Sequence, residues 1–227
     1  MPEAELHRPI RSYVRREGHF TDAQRRAFET LLPRYGVPVG EGPVDLDSLY
    51  GRTAERWAEI GFGNGETLAS LAIAHPERDF LGFDVHRPGA GALLKRLETA
   101  GATNVRIVCE DAAAFLAQRI SDQSFDAVCL FFPDPWPKKR HHKRRLVQPE
   151  FVQMLRRKLK IGAILYMATD WEDYAEHMLD VMEGAEGYTN TASGFAARPP
   201  WRPLTRFEQR GVRLGHRVRD LAFQRRS

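Results

Sequence analysis

The sequence predicts an α/β protein: a doubly wound, mostly parallel central sheet with helices on both faces. Three observations lead there. From residue 56 onward, short apolar runs alternate with segments of helical periodicity, the pattern of successive βαβ units. The first run opens into a glycine-rich turn, Gly61-Phe-Gly63-Asn-Gly65, of the kind that joins a strand to a helix and lets backbone approach a ligand closely. The length of 227 residues, with 42% hydrophobic and 28% charged residues, suits one globular unit with a substantial core.

Taken in order, residues 1–20 are polar and basic and read as a loose arm. Thr21 with Gln24 can form a capping box, and Ala27, Phe28, Leu31 and Leu32 then share a helical face that Pro33 and Gly36 should end. Residues 36–52, rich in glycine and proline, read as a connecting loop. The strands are expected at Trp57–Ile60, Phe80–Phe83, Val105–Cys109, Phe125–Phe132 and Ile161–Ala168. Helices are expected from Gly65, over Ala92–Thr99, from Ala112, from Pro149, and along the stripe Trp171, Tyr174, Ala175, Met178, Leu179 and Met182. The organisation is therefore an N-terminal basic arm and helix over 1–52 and a principal domain over 53–227.

Composition removes several classes. The longest uninterrupted apolar run, Ala127–Phe132, has six residues, too few for a membrane span, and no apolar stretch follows the opening residues as a signal peptide would require. Cys109 and Cys129 sit within apolar runs and read as buried thiols of a reducing compartment. The net charge of +4 hides a segregation. Residues 138–145, KKRHHKRR, carry six Lys/Arg and no acid, and residues 198–227 carry nine Arg against Glu208 and Asp220. An otherwise acidic body with two basic segments points to a polyanionic partner; the plainer reading is a pair of solvated charged surfaces.

The turn has the form Glu59-x-Gly61-x-Gly63-x-Gly65, not the G-x-G-x-x-G of a dinucleotide site. An acid beside it would repel a pyrophosphate but suits the ammonium group of a methionine moiety. Asp84, twenty-three residues after Gly61, ends the second run and can accept ribose hydroxyls. Glu110 and Asp111 follow the third run, placed for an adenine edge. This series favours S-adenosylmethionine; a dinucleotide, or a turn without a ligand, remains the alternative. The fourth run then enters Phe131-Phe-Pro133-Asp134-Pro135-Trp136-Pro137-Lys138, where three prolines impose a rigid loop at a strand's carboxyl end.

EIGFGNGE, FDVHRPGAG, FPDPWPKKRHHKRRL, ATDW at 168–171 and TRFE at 205–208 together resemble the bacterial tRNA (guanine-N7)-methyltransferases, over nearly the whole chain. The resemblance implies a Rossmann-like class I methyltransferase fold, with a seven-stranded sheet whose last strand, near Arg217–Gln224, is antiparallel. It implies methylation of a guanine in the tRNA variable loop. It also implies that Glu59, Asp84, Asp111 and Asp134 line the S-adenosylmethionine site, with Asp134 catalytic. By the same resemblance Lys138, Asp170, Thr205, Arg206, Phe207 and Glu208 contact the substrate, while Arg140, His141, His142, Lys143, Arg144 and Arg145 grip RNA. One departure is Asp84, where the family usually carries Glu, giving a shorter reach. The expected partner is tRNA, without a membrane or metal, for a cytoplasmic monomer or weak homodimer.

The chemistry fits these residues. Guanine N7 holds a free lone pair at neutral pH and needs no general base, so catalysis rests on placement and on charge near the purine. Asp170, at the end of the fifth expected strand, and Glu208, within the Arg-rich end, are expected to accept from the guanine N1–H and N2 amino group, with an Arg206–Glu208 surface pair as the plainer reading. A non-catalytic RNA-binding module and an exocyclic-amine methyltransferase are the rival functions.

Overall fold

The computed structural model describes Ser12, Tyr13 and residues 19–227; most of the N-terminal arm therefore lies outside the described residues. The chain runs α1 (Asp22–Tyr35), α2 (Leu46–Tyr50), β1 (Arg56–Ile60), α3 (Glu66–Ala74), β2 (Asp79–Phe83), α4 (Arg87–Ala100), β3 (Val105–Val108), α5 (Ala112–Arg119) and β4 (Phe125–Phe131). A 3₁₀ helix (Lys139–Arg144) follows, then α6 (Pro149–Lys158), β5 (Leu159–Thr169), α7 (Glu172–Glu183), β6 (Tyr188–Asn190), α8 (Arg206–Arg213) and β7 (Arg219–Arg225). The seven strands form one sheet in the order β3-β2-β1-β4-β5-β7-β6. The pairs from β3 to β5 are parallel, whereas β7 runs antiparallel to both β5 and β6. The chain winds outward from β1 in one direction and then from β4 in the other, so a crevice opens where β1 and β4 end.

Alternation along the strands sorts the core into two layers. Ala58, Ile60, Leu81 and Val128 join Leu116 of α5, Leu155 of α6 and Met178 of α7 on one face. Trp57, Phe80, Ala127 and Cys129 join Leu31 of α1, Leu68 of α3 and Leu93, Leu94 and Leu97 of α4 on the other. Helix α1 begins with the expected capping box between Thr21 and Gln24. It runs through Pro33 to Tyr35, because proline in a last turn forfeits only one hydrogen bond and the Gly36 N–H closes onto Leu32. The loop expected over 36–52 contains α2, started by the Asp45 side chain accepting from the Ser48 N–H and stopped by Gly51 at φ +70°. The short strand β6 has no counterpart in the sequence expectations; three residues are too few for a period to show.

Candidate active site

A cavity of about 950 Å³ lies at the carboxyl ends of β1 to β4, its wall including Gly61, Asp84, Asp111 and Asp134. Gly61, Gly63 and Gly65 take φ values of +78°, +54° and +71°, and the space beside Gly61 and Gly63 is open. At Gly65 the requirement is packing: a Cβ there would sit 2.5 Å from Cβ of Leu93. Asp84 holds this turn. Its Oδ2 accepts from the Gly63 N–H at 2.7 Å and its Oδ1 from the His86 N–H at 2.8 Å. Each carboxylate oxygen keeps a second lone pair, so the capacity to accept a hydroxyl remains. Burial raises its pKa, against the lowering effect of the His86 and Gly63 backbone bonds. Asp111 caps α5, its Oδ1 accepting from the Ala114 N–H at 2.9 Å.

Glu59 is not on the cavity wall; Ile60 and Gly61 are. It is only 5% exposed, and its Oε2 is buried with no hydrogen-bond partner. Burial first, and then the negative charge of Asp84, push its carboxyl up to about 8. A buried acceptor without a donor is costly, and a cationic ammonium supplies both the donor and the charge.

The loop after β4 is held in an unusual backbone. Phe132 and Trp136 adopt φ of +52° and +47°, which bulky residues rarely do. The Phe132 N–H donates to the Ala168 carbonyl at 2.7 Å, and Trp136 Nε1 donates to the Ser12 carbonyl at 3.0 Å. Arg145 corrects the expectation that all of 140–145 grips RNA. It is 3% exposed, donating from Nε to the Pro135 carbonyl at 3.0 Å, paired with Asp173 and lying over the Tyr174 ring. It braces the loop. His142 lies 3.7 Å from the same Asp173. Arg144 stacks on Trp136 at 3.8 Å, and His141 meets the same ring edge-on. Lys138, Arg140 and Lys143 are solvent-exposed.

The substrate-side residues stand off the cavity wall. Asp170 follows β5, and its Oδ2 meets His216 Nδ1 at 3.0 Å. Thr205 caps α8 by accepting from the Glu208 N–H, and the Arg206 N–H donates to Glu66. Phe207 is exposed, with its ring 5.3 Å from Phe132. Glu208 does not offer a guanine-reading edge. It is buried, and both its oxygens accept from Arg202, at 2.8 and 2.9 Å; Arg202 also donates to Asp220 of β7 at 3.1 Å. The surface pair with Arg206 is equally absent, since Arg206 turns to Glu66. The acid in the Arg-rich end serves a buried arginine.

The Methyltransf_4 methyltransferase family model matches residues 53–221. The tRNA (guanine-N(7)-)-methyltransferase of Nitrosomonas europaea is 57% identical, over 96% of this chain and 98% of its own. That of Nitrosospira multiformis is 52% identical over 100% and 99%. The chain belongs to the tRNA (guanine-N7)-methyltransferase family. Among solved structures, the antibiotic-resistance methyltransferase Kmr superposes with a TM-score of 0.57 at 16% identity, covering 84% of this chain and 96% of that one. The aminoglycoside resistance methyltransferase NpmB1 gives 0.54 at 18%, over 79% and 91%. These neighbours share the fold.

For a tRNA (guanine-N7)-methyltransferase, the structure adds residues that the sequence reading missed. His86 lines the cavity and caps α4, its Nδ1 accepting from the Gly89 N–H. Cys109 lines the wall beside Asp111 and Glu110, the latter already expected with Asp111 at the adenine edge, and burial pushes the Cys109 thiol up to about 11. Tyr13, Phe20 and Arg25 reach the wall from the N-terminal side. Their signal was faint, since nothing local marks a residue near α1 as a neighbour of β2. Arg202 was visible only as one arginine of nine. Trp201 anchors its segment, packing edge-on against Trp57 and Tyr166 at 5.0 and 4.8 Å.

Proposed function

We propose that this enzyme transfers a methyl group from S-adenosylmethionine to N7 of a guanine in the tRNA variable loop. The observation that carries the reading is one loop with two neighbours: Asp134 faces the cavity, and the exposed basic 3₁₀ helix starts five residues later. When bound, S-adenosylmethionine supplies an electrophilic methyl on a sulfonium. The unpartnered Glu59 carboxylate would hold its ammonium, Asp84 its ribose and Asp111 its adenine edge. Asp134, on the cavity wall, would stabilise the positive charge that arrives on the purine. Because N7 carries a free lone pair and no proton has to leave, these residues would need to supply no general base, only placement and charge. Lys138, Arg140, His141, His142, Lys143 and Arg144 would take RNA phosphates, while Asp170, Thr205, Arg206 and Phe207 border the base.

The same reading divides the chain into an arm and helix over 1–52 and a catalytic domain over 53–227, and has the enzyme act in the cytoplasm as a monomer or weak homodimer. The test is incubation with labelled cofactor and bulk tRNA, followed by identification of the modified nucleoside. N7-methylguanosine is the expected product. Label on an exocyclic amine, or none, would overturn the proposal. Asp134→Asn should slow single-turnover transfer by about tenfold or more, while tRNA affinity holds. Unchanged turnover would remove Asp134 from the chemistry.

A further inference from the structure

The site described so far uses one basic surface, the 3₁₀ helix, together with Arg206 bordering the base, and leaves Arg210 and Arg213 without a role. Arg206, Arg210 and Arg213 fall on α8 at spacings of four and three residues, so they share one helical face. Glu208 and Gly211, the buried residues of that helix, occupy the opposite face. The arginines therefore point away from the body: the Arg206 side chain is 88% exposed, and Arg210 and Arg213 are exposed as well.

The placement carries a repulsion. Like charges three and four residues apart repel, while the helix dipole disfavours Arg206 in the first turn and favours Arg210 and Arg213 in the last. Arg206 has a partial remedy in Glu66, 3.6 Å away. Among the described residues Arg210 and Arg213 have no acidic partner, because the single acid of α8, Glu208, is turned inward onto Arg202. Three exposed like charges on one face, two of them with no acid beside them among the described residues, make a positive surface suited to an anionic partner.

The surface also lies in a telling place. Phe207 flanks the arginine face and touches Phe132, where the Asp134 loop begins. At the other end of that loop, Trp136 carries Arg144 of the 3₁₀ helix. Two basic surfaces thus meet at the two ends of one loop. An exposed aromatic ring beside a row of cations matches the needs of unpaired RNA, whose bases stack while its phosphates pair.

We propose that Arg206, Arg210 and Arg213 form a second phosphate-binding face, gripping the RNA backbone at the Phe132 end of the loop as the 3₁₀ helix does at the Trp136 end. The inference rests on the tRNA reading above. Its test compares wild type with Arg210→Gln/Arg213→Gln, titrating an unmodified tRNA transcript from about 50 to 200 mM salt. The slope of log affinity against log salt should fall by about 1.4–1.8 for two lost contacts. Affinity for S-adenosylmethionine by calorimetry and thermal stability should be unchanged. Arg210→Lys/Arg213→Lys should keep the slope, since a point charge suffices for a phosphate. An unchanged slope in the Gln variant overturns the proposal. So does loss of binding to phosphatidylserine vesicles with the tRNA slope intact, which would assign the face to a lipid surface. Wild type that neither binds nor methylates tRNA would bring down the tRNA reading together with this one, whereas normal methylation with an unaltered slope brings down this one alone.

Discussion

Replacing Glu59 by glutamine tests the buried acid directly. With its carboxyl raised from 4.5 to about 8, Glu59 is mostly protonated at neutral pH in the cofactor-free fold and ionised in the unfolded chain. The raised value favours the fold fully below about pH 4.5, and that contribution fades as pH rises through about 8. At roughly 1.4 kcal/mol per pH unit, the penalty at pH 7 is about 3 kcal/mol, approaching about 5 kcal/mol above pH 8. The Glu59→Gln variant, with a neutral amide in both states, would carry no such penalty. For a domain of this size, about 2–4 °C per kcal/mol makes the variant melt roughly 6–12 °C above wild type at pH 7. The two should converge near pH 4.5. The assay is thermal unfolding of both proteins without cofactor from pH 4.5 to 8.5, where other titrating groups cancel in the difference. On the proposed assignment the cofactor should reverse the order: its ammonium would stabilise ionised Glu59, so S-adenosylmethionine should raise the wild-type midpoint and do far less for Glu59→Gln. A melting difference independent of pH would refute the reasoning.

Other perturbations follow from the same geometry. Gly65→Ala places a Cβ 2.5 Å from Leu93 at a φ of +71° and should lower stability by about 1–3 kcal/mol, read as a shift in urea midpoint. Arg202→Met strands Glu208 and Asp220 as buried carboxylates and should cost about 3–5 kcal/mol. Part of that loss should return on acidification from pH 8 to 5, because burial already raises the Asp220 pKa and protonation relieves it; a pH-independent loss would argue against the buried cluster. Arg145→Ala should lower the melting temperature and turnover while leaving the salt slope of tRNA binding alone. Arg140→Ala/Lys143→Ala should do the reverse, flattening the slope by about 1.4–1.8 with stability unchanged.

The strand and helix plan was legible because each βαβ unit writes its signal locally. Apolar runs, the glycines at 61, 63 and 65, and the Thr21–Gln24 box all act within a few residues of themselves. The strand-end acids were legible for the same reason, since position after a strand decides where a side chain goes. Arg145 was misread because its partner is distant in sequence, and Glu208 because its partner Arg202, six residues away, is fixed in place by a third residue farther along the chain. Asp173 lies 28 residues from Arg145, and Asp220 lies 18 from Arg202. Nothing in KKRHHKRR distinguishes the arginine that turns inward from those that stay in water. Asp84 shows a subtler limit: the acid was visible, but its two backbone donors are set by the turn it holds.

Within the sheet, strand β6 pairs with β7 alone, which comes later in the chain, and Asp220 beneath Arg202 belongs to β7. During synthesis the N-terminal part emerges first. Strands β1 to β4, and with them the cavity, can thus assemble while β5 still has an open edge and α8 has no complete ion cluster to rest on. The order of emergence makes cofactor binding possible before the proposed α8 face is in place, although the 3₁₀ helix has already emerged. A chain interrupted ahead of β7 would be a cofactor-competent species with an unprotected strand edge, prone to association through β5 and weaker than the finished enzyme in competing for RNA.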